Sequence, residues 1–140
     1  MHYTPRVGAG QPKGRIRVLV VDDEPSICRA MEMMLGRAGY DVVCVLRGES
    51  GLARLQTEHF DVLVLDLRIP DERGDTVFHH AVGLQPHLRD ATLFTTGDIT
   101  DIAQTLIAAC KCPVVMKPFE IRDVLAWVEA LAPRRQDASA

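Results

Sequence analysis

A chain of 140 residues suits one compact domain, which at that size buries roughly two-thirds of its unfolded surface. With 47% hydrophobic and 25% charged residues, a net charge of -3 and a pI near 5.9, it lacks the basic excess that nucleic-acid-binding domains gather on one face. No stretch approaches the roughly 18 uninterrupted apolar residues of a membrane span, and the first residues lack the apolar core of a signal peptide. A cytoplasmic protein with no direct nucleic-acid binding and no membrane partner is expected.

Residues 1–14 carry glycines and prolines without an apolar period and predict a flexible tail, followed by one domain over 15–132 and a short C-terminal tail over 133–140. The first strand-length apolar run is Ile16 to Val21. Ile27, Ala30, Met31, Met34, Leu35 and Ala38 then share one helical stripe in a segment that Pro25 opens. Asp41 to Val45 reads as a second strand, Gly48 to Glu58 as a weakly patterned helix, and Asp61 to Leu65 as a third strand. Val77, Ala81, Leu84 and Leu88 form a looser helical stripe, beside which His79 and His80 read as surface or boundary residues. Ala91 to Phe94 is the fourth strand, Ile99 to Cys110 a helix, and Val114 to Met116 the fifth strand. Ile121, Val124, Leu125, Val128 and Ala132 give a last helix that Pro133 ends.

The strand runs are nearly continuously apolar, as expected where helices cover both faces of a parallel sheet. Strands alternating with helices imply right-handed crossovers and an α/β fold: a doubly wound, five-stranded, flavodoxin-like (βα)5 sheet in the order 2-1-3-4-5. Cys28, Cys44, Cys110 and Cys112 fall within or beside apolar segments and read as reduced, buried thiols.

Ligands bind open parallel sheets outside the carboxyl ends of the strands, at the switch point of the strand order. There the first strand ends in Asp22, Asp23 and Glu24, the third in Asp66, the fourth in Thr95 and Thr96, and the fifth in Lys117. Carboxylates crowded together raise one another's pKa unless a cation joins them, and hard oxygen donors suit Mg²⁺. One carboxylate is then available as a nucleophile, with the Lys117 ammonium and a Thr hydroxyl to meet the oxygens of a transferred phosphoryl group. Taken alone, Asp22 and Asp23 read equally well as caps of the helix at Pro25. A bare Asp66 after a buried VLVL run is harder to explain without a partner.

These residues resemble a known family over about residues 15–132: the receiver domain of two-component response regulators. VLVVDDEPSI resembles its acidic-pair segment, and VLVLDLRIPDERGDTVF its phospho-acceptor segment, with Pro70 and Gly74 at the family's distances from Asp66. LFTTGD resembles the strand whose functional hydroxyl precedes a small residue, which selects Thr96 over Thr95, and VVMKPF resembles the Lys-Pro end of the last strand. The resemblance implies that Asp66 takes a phosphoryl group from the phosphohistidine of a histidine kinase or a histidine phosphotransfer protein. It also implies that Asp22, Asp23, Asp66 and the backbone carbonyl of Arg68 hold Mg²⁺, that Thr96 and Lys117 contact the phosphoryl group, and that the Lys117–Pro118 peptide is cis.

Three positions depart from the family's commonest pattern. Val114 stands three residues before the lysine where an aromatic switch residue is usual, and Arg68 and Asp98 place opposite charges beside the acceptor, a pairing expected to slow self-dephosphorylation. Output is expected through contact with a downstream protein target, and the charged Arg122, Asp123 and Glu129 of the last helix leave room for a homodimer. Two rival readings remain open: an enzyme of the same architecture, such as a phosphatase or flavin protein, and a receiver-like module used only for protein contact.

Overall fold

The structure is a computed structural model and describes residues 15–97, 104, 108 and 110–133. Five strands, β1 (Arg17–Val21), β2 (Asp41–Val45), β3 (Val62–Asp66), β4 (Thr92–Thr96) and β5 (Val114–Met116), form one sheet in the order β2-β1-β3-β4-β5. Every neighbouring pair is parallel, as the near-continuous apolar runs require. The helices described in full are α1 (Pro25–Arg37), α2 (Gly48–Thr57), α3 (Gly74–Leu84) and α4 (Ile121–Leu131), with a 3-10 turn at Pro86–Asp90. The tails over 1–14 and 134–140 and most of the helix expected over Ile99 to Cys110 lie outside the described residues.

Successive strand residues point to opposite faces, so each apolar run feeds two cores. Leu19, Val21, Leu63, Leu65 and Phe94 pack with Leu55, Val77, Phe78 and Ala81 of α2 and α3. Val18, Val20, Val62, Val64 and Leu93 pack with Met31 and Leu35 of α1 and Val124 and Val128 of α4. Pro25 starts α1, and α4 begins with a capping box in which Glu120 and Asp123 each bond the other's backbone N–H.

The weak helical pattern of α2 has a packing cause. A Cβ on Gly51 would come within 2.9 Å of Val21 Cγ2, and one on Gly48 within 2.8 Å of Val77 Cγ2, so these glycines trade helix propensity for close approach to the sheet and α3.

Several expectations are corrected. The buried face of α1 is Cys28, Met31 and Leu35, whereas Met34 is 42% exposed and Ala38 lies on the surface, so the apolar stripe is rotated toward Cys28. In α3 the core takes Phe78 and Val82 and leaves Leu84 exposed. β3 and β4 run on to Asp66 and Thr96 because their ladders continue, pairing Asp66 with Thr95 and Thr96 with Met116.

The reading of four reduced cysteines is also wrong, because Cys28 and Cys44 form a disulfide. Packing α1 across β2 brings their Cα atoms to 5.6 Å, a separation that a disulfide spans. Cys110 and Cys112 are buried thiols, and burial pushes Cys112 up to about 11. Among the described residues no helix is long and apolar enough to cross a membrane.

Candidate functional site

Parallel strands deliver their carboxyl ends to one edge, and this edge is acidic. Asp22, just beyond β1, is 2% exposed and Asp66, the last residue of β3, is 3% exposed, whereas Asp23 and Glu24 face solvent. One carboxylate oxygen from each of Asp22, Asp23, Glu24 and Asp66 lies within 4.8 Å of the others. Burying two carboxylates so close together is costly without compensating positive charge.

Local backbone donors meet part of that cost. Glu24 N–H donates to Asp22 Oδ1 at 2.9 Å, and Arg68 N–H donates to Asp66 Oδ1 at 3.0 Å. Asp22 N–H donates in turn to Val45 O at 3.1 Å, which locks the end of β1 to the end of β2. The helix-capping alternative does not describe these acids: Glu24 is the N-cap of α1 and makes no side-chain cap bond.

Lys117 supplies the cation. Its Nζ donates to Asp66 Oδ2 and Glu24 Oε2, each at 2.9 Å, and stands 3.1 Å from Asp22 Oδ2. Its N–H donates to Thr96 O at 2.7 Å, which fixes its backbone to the end of β4, and the Lys117–Pro118 peptide is cis, as the resemblance implied. Burial works against the ammonium, yet the bonds it donates to Glu24 and Asp66 outweigh it and hold Lys117 protonated above its ordinary range. Asp66 moves the other way from most paired carboxylates. Burial pushes its carboxyl up, and the Arg68 N–H and Lys117 offset only part of that rise.

Thr96 is fully buried at the end of β4, one backbone hydrogen bond from Lys117. Arg68 projects an exposed side chain from the segment after β3, and its backbone enters the site through its N–H. Gly74 closes that segment: its N–H donates to Leu67 O at 3.0 Å, and a Cβ there would fall 2.6 Å from Leu67 Cα and 2.7 Å from Asp66 O. That collision with backbone explains the glycine eight residues after Asp66 in terms of this chain alone.

Asp22, Asp66 and Lys117 are therefore in direct contact, with Asp23, Thr96 and the Arg68 backbone at their margin. Asp98, the expected partner of Arg68, lies outside the described residues. Sequence reasoning underrated Glu24, whose position as a third acid after β1 was its only signal. His79 and His80 are exposed, as expected. The donor set fits Mg²⁺: the oxygens are hard, two of the carboxylates are buried, and the Lys117 ammonium already sits where a positive charge is required.

An open parallel α/β domain with an acidic, cation-seeking site at its switch point defines a small set of signalling and enzyme folds. Within that set the chain is a member of the response regulator receiver domain family, whose model matches residues 18–129. It is 34% identical over 125 residues to the probable transcriptional regulatory protein TcrX of Mycobacterium tuberculosis, covering 89% of this chain and 52% of that protein. To the transcriptional regulatory protein KdpE of the same species it is 38% identical over 126 residues, covering 88% of this chain and 53% of that one. The chain thus spans about half the length of the curated relatives it matches. Among solved structures it resembles a CheY-like receiver domain protein from Methanospirillum hungatei, with a TM-score of 0.76, 26% identity and coverage of 83% of this chain and 92% of the other. Receiver domains act as signalling switches in two-component systems, where they interact with kinases, and are not turnover enzymes.

Proposed function

We propose that this chain is the phospho-acceptor switch of a two-component or phosphorelay system, and that it takes a phosphoryl group onto Asp66 from the phosphohistidine of a histidine kinase or histidine phosphotransfer protein. The observation that carries the reading is the contact set of Asp66: a buried nucleophilic carboxylate bonded to Lys117 and faced by the acids that follow β1.

In the transfer an Asp66 carboxylate oxygen forms the new O–P bond as the donor's N–P bond breaks, and the electron pair of that bond returns to the imidazole. Lys117, now paired with three carboxylates, exchanges part of that pairing for a phosphoryl oxygen, and the Thr96 hydroxyl donates to another. Mg²⁺, which Asp22, Asp23, Asp66 and the Arg68 carbonyl would hold, supplies charge neutralisation for the incoming phosphoryl group.

Output would pass by protein–protein contact to a downstream target, and a cytoplasmic setting fits a kinase donor. Val114, at the position usual for an aromatic switch residue, packs half-buried against the core that includes Phe94. Readout would then depend on backbone movement beyond Thr96 in place of rotation of an aromatic ring. A homodimer through the charged face of α4 fits the same reading.

Incubation with acetyl phosphate and Mg²⁺, followed by intact mass, tests the proposal. A single phosphoryl adduct that needs Mg²⁺ and is lost in Asp66→Asn is expected. Absence of an adduct, or its persistence in Asp66→Asn, would overturn it.

A further inference from the structure

The segment between β3 and α3, residues 67–73, carries Arg68, whose carbonyl is one of the proposed magnesium ligands. It is polar and exposed over much of its length, and such segments are usually mobile. Here it is tied down at both ends and at its tip. Leu67 N–H donates to Thr95 O at 2.9 Å, Gly74 N–H donates to Leu67 O at 3.0 Å, and Arg68 bridges Arg73, so the base is closed. At the tip Asp71 reaches across to another element. Its Oδ1 accepts from Gly48 N–H at 3.0 Å and its Oδ2 from Glu49 N–H at 2.9 Å, at the first turn of α2.

That contact satisfies two of the orphan N–H groups at the start of a helix, where the dipole also favours a negative charge. No side chain of the N-cap residue Arg47 does so. The bonds from Glu49 and Gly48 hold the Asp71 carboxyl below its ordinary range. Ile69 from the same segment packs beside it, since a Cβ on Gly48 would come within 3.0 Å of Ile69 Cδ1. Gly48 therefore serves as the floor on which the tip rests.

The tether links the two halves of the acidic site. α2 begins three residues after Val45, whose carbonyl accepts from Asp22 N–H. The path runs from Asp22 through the end of β2 to the first turn of α2, across to Asp71, and back along the segment to Arg68, whose N–H bonds Asp66. We infer that Asp71 is a positioning residue for the metal site, holding the Arg68 backbone at a fixed distance from Asp22 and Asp23 by clamping the β3–α3 segment to α2.

This inference rests on the function proposed above, and it is tested with Mg²⁺ alone. Mg²⁺ is titrated into wild-type protein, Asp71→Ala and Asp71→Asn by calorimetry, with unfolding midpoints measured in metal-free buffer. Val128→Ala, a core truncation in α4 away from the segment, serves as a matched destabilised control. Asp71→Ala is expected to weaken Mg²⁺ binding about tenfold or more, the usual range for removing a group that orients a ligand. Asp71→Asn, which keeps one acceptor oxygen, should fall between Asp71→Ala and wild type. Val128→Ala should lower the midpoint and leave Mg²⁺ affinity unchanged. In acetyl phosphate reactions Asp71→Ala should raise the Mg²⁺ concentration needed for half-maximal rate and approach the wild-type rate at saturation. If Asp71→Ala binds Mg²⁺ as wild type does, or if Val128→Ala weakens binding equally, the positioning role is overturned while the proposed function stands. If wild-type protein binds no Mg²⁺, both fall together.

Discussion

The two ends of the sheet handle buried charge in opposite ways. At the amino end Arg17, its side chain only 12% exposed, donates to Asp41 Oδ2 at 3.0 Å, to Glu58 Oε1 at 3.0 Å and to His59 O at 3.2 Å. Its guanidinium also lies 4.5 Å from the centre of the Phe60 ring. Glu58 is bonded by Arg54 as well, and that bond above all holds its carboxyl below the ordinary range. At the carboxyl end Lys117 faces three carboxylates, and burial pushes Asp66 up. The first arrangement is matched in charge and multiply bonded, as a structural ion pair should be. The second, among the described residues, sets one ammonium against three carboxylates, as suits the proposed binding of a cation and a phosphoryl group.

Breaking each end should show the difference. Lys117→Met removes the cation from the carboxyl end, and its cost in Mg²⁺-free urea unfolding should be about 3 kcal/mol, the lower range for stripping one partner from a buried charge cluster. Added Mg²⁺ should restore a large part of that loss, because the acids that Lys117 leaves behind are the proposed ligands. Unfolding of Lys117→Met that ignores Mg²⁺ would count against a metal at this end.

Reducing the Cys28–Cys44 disulfide, which closes a span of 16 residues, should cost up to about 3 kcal/mol. Cys28 Sγ lies 3.5 Å from Asp22 O, so the link stands directly behind the acidic edge. Comparing urea midpoints with and without dithiothreitol, with Cys28→Ser as reference, measures it; no difference would show that the link adds nothing. At the amino end Arg17→Met should cost about 2 kcal/mol through lost charged hydrogen bonds. Mg²⁺ affinity and the rate of phosphorylation by acetyl phosphate should stay at wild-type values, and a loss of either would mean that the two ends are coupled.

The smallest expected effect is the pH dependence of Asp66. Its folded pKa is raised above the unfolded value, so its contribution to stability is complete below the unfolded pKa and is lost as pH rises through the folded one. Wild-type protein without Mg²⁺ should therefore lose stability relative to Asp66→Asn between acid and neutral pH. Thermal midpoints of the two proteins across that range give the sign directly, and a relative gain toward neutral pH would contradict it.

Much of this was legible in the chain. The continuous VLVV and VLVL runs announced strands buried on both faces, and the polar residue ending each run marked the edge where Asp22, Asp66, Thr96 and Lys117 now lie. The exact face of α1 was not legible, because Met34 and Cys28 both fit an apolar period and only packing against β2 and α4 decides between them. The disulfide was missed for a related reason: Cys28 and Cys44 carry no spacing signature, and they meet only once α1 lies across β2. Asp71 left no signal either, since its partners are backbone N–H groups 22 and 23 residues upstream. Contacts made by backbone groups across two loops leave no mark on residue type.

The central claim is that the carboxyl end of the sheet accepts a phosphoryl group at Asp66. Borohydride cleaves an acyl phosphate and converts the modified aspartate to homoserine, so reduction after Mg²⁺ and acetyl phosphate treatment, followed by peptide mapping, locates the acceptor. Homoserine at position 66 and nowhere else is the predicted result. Homoserine at position 22 or 23, or phosphate carried on a histidine with position 66 unchanged, would contradict the account.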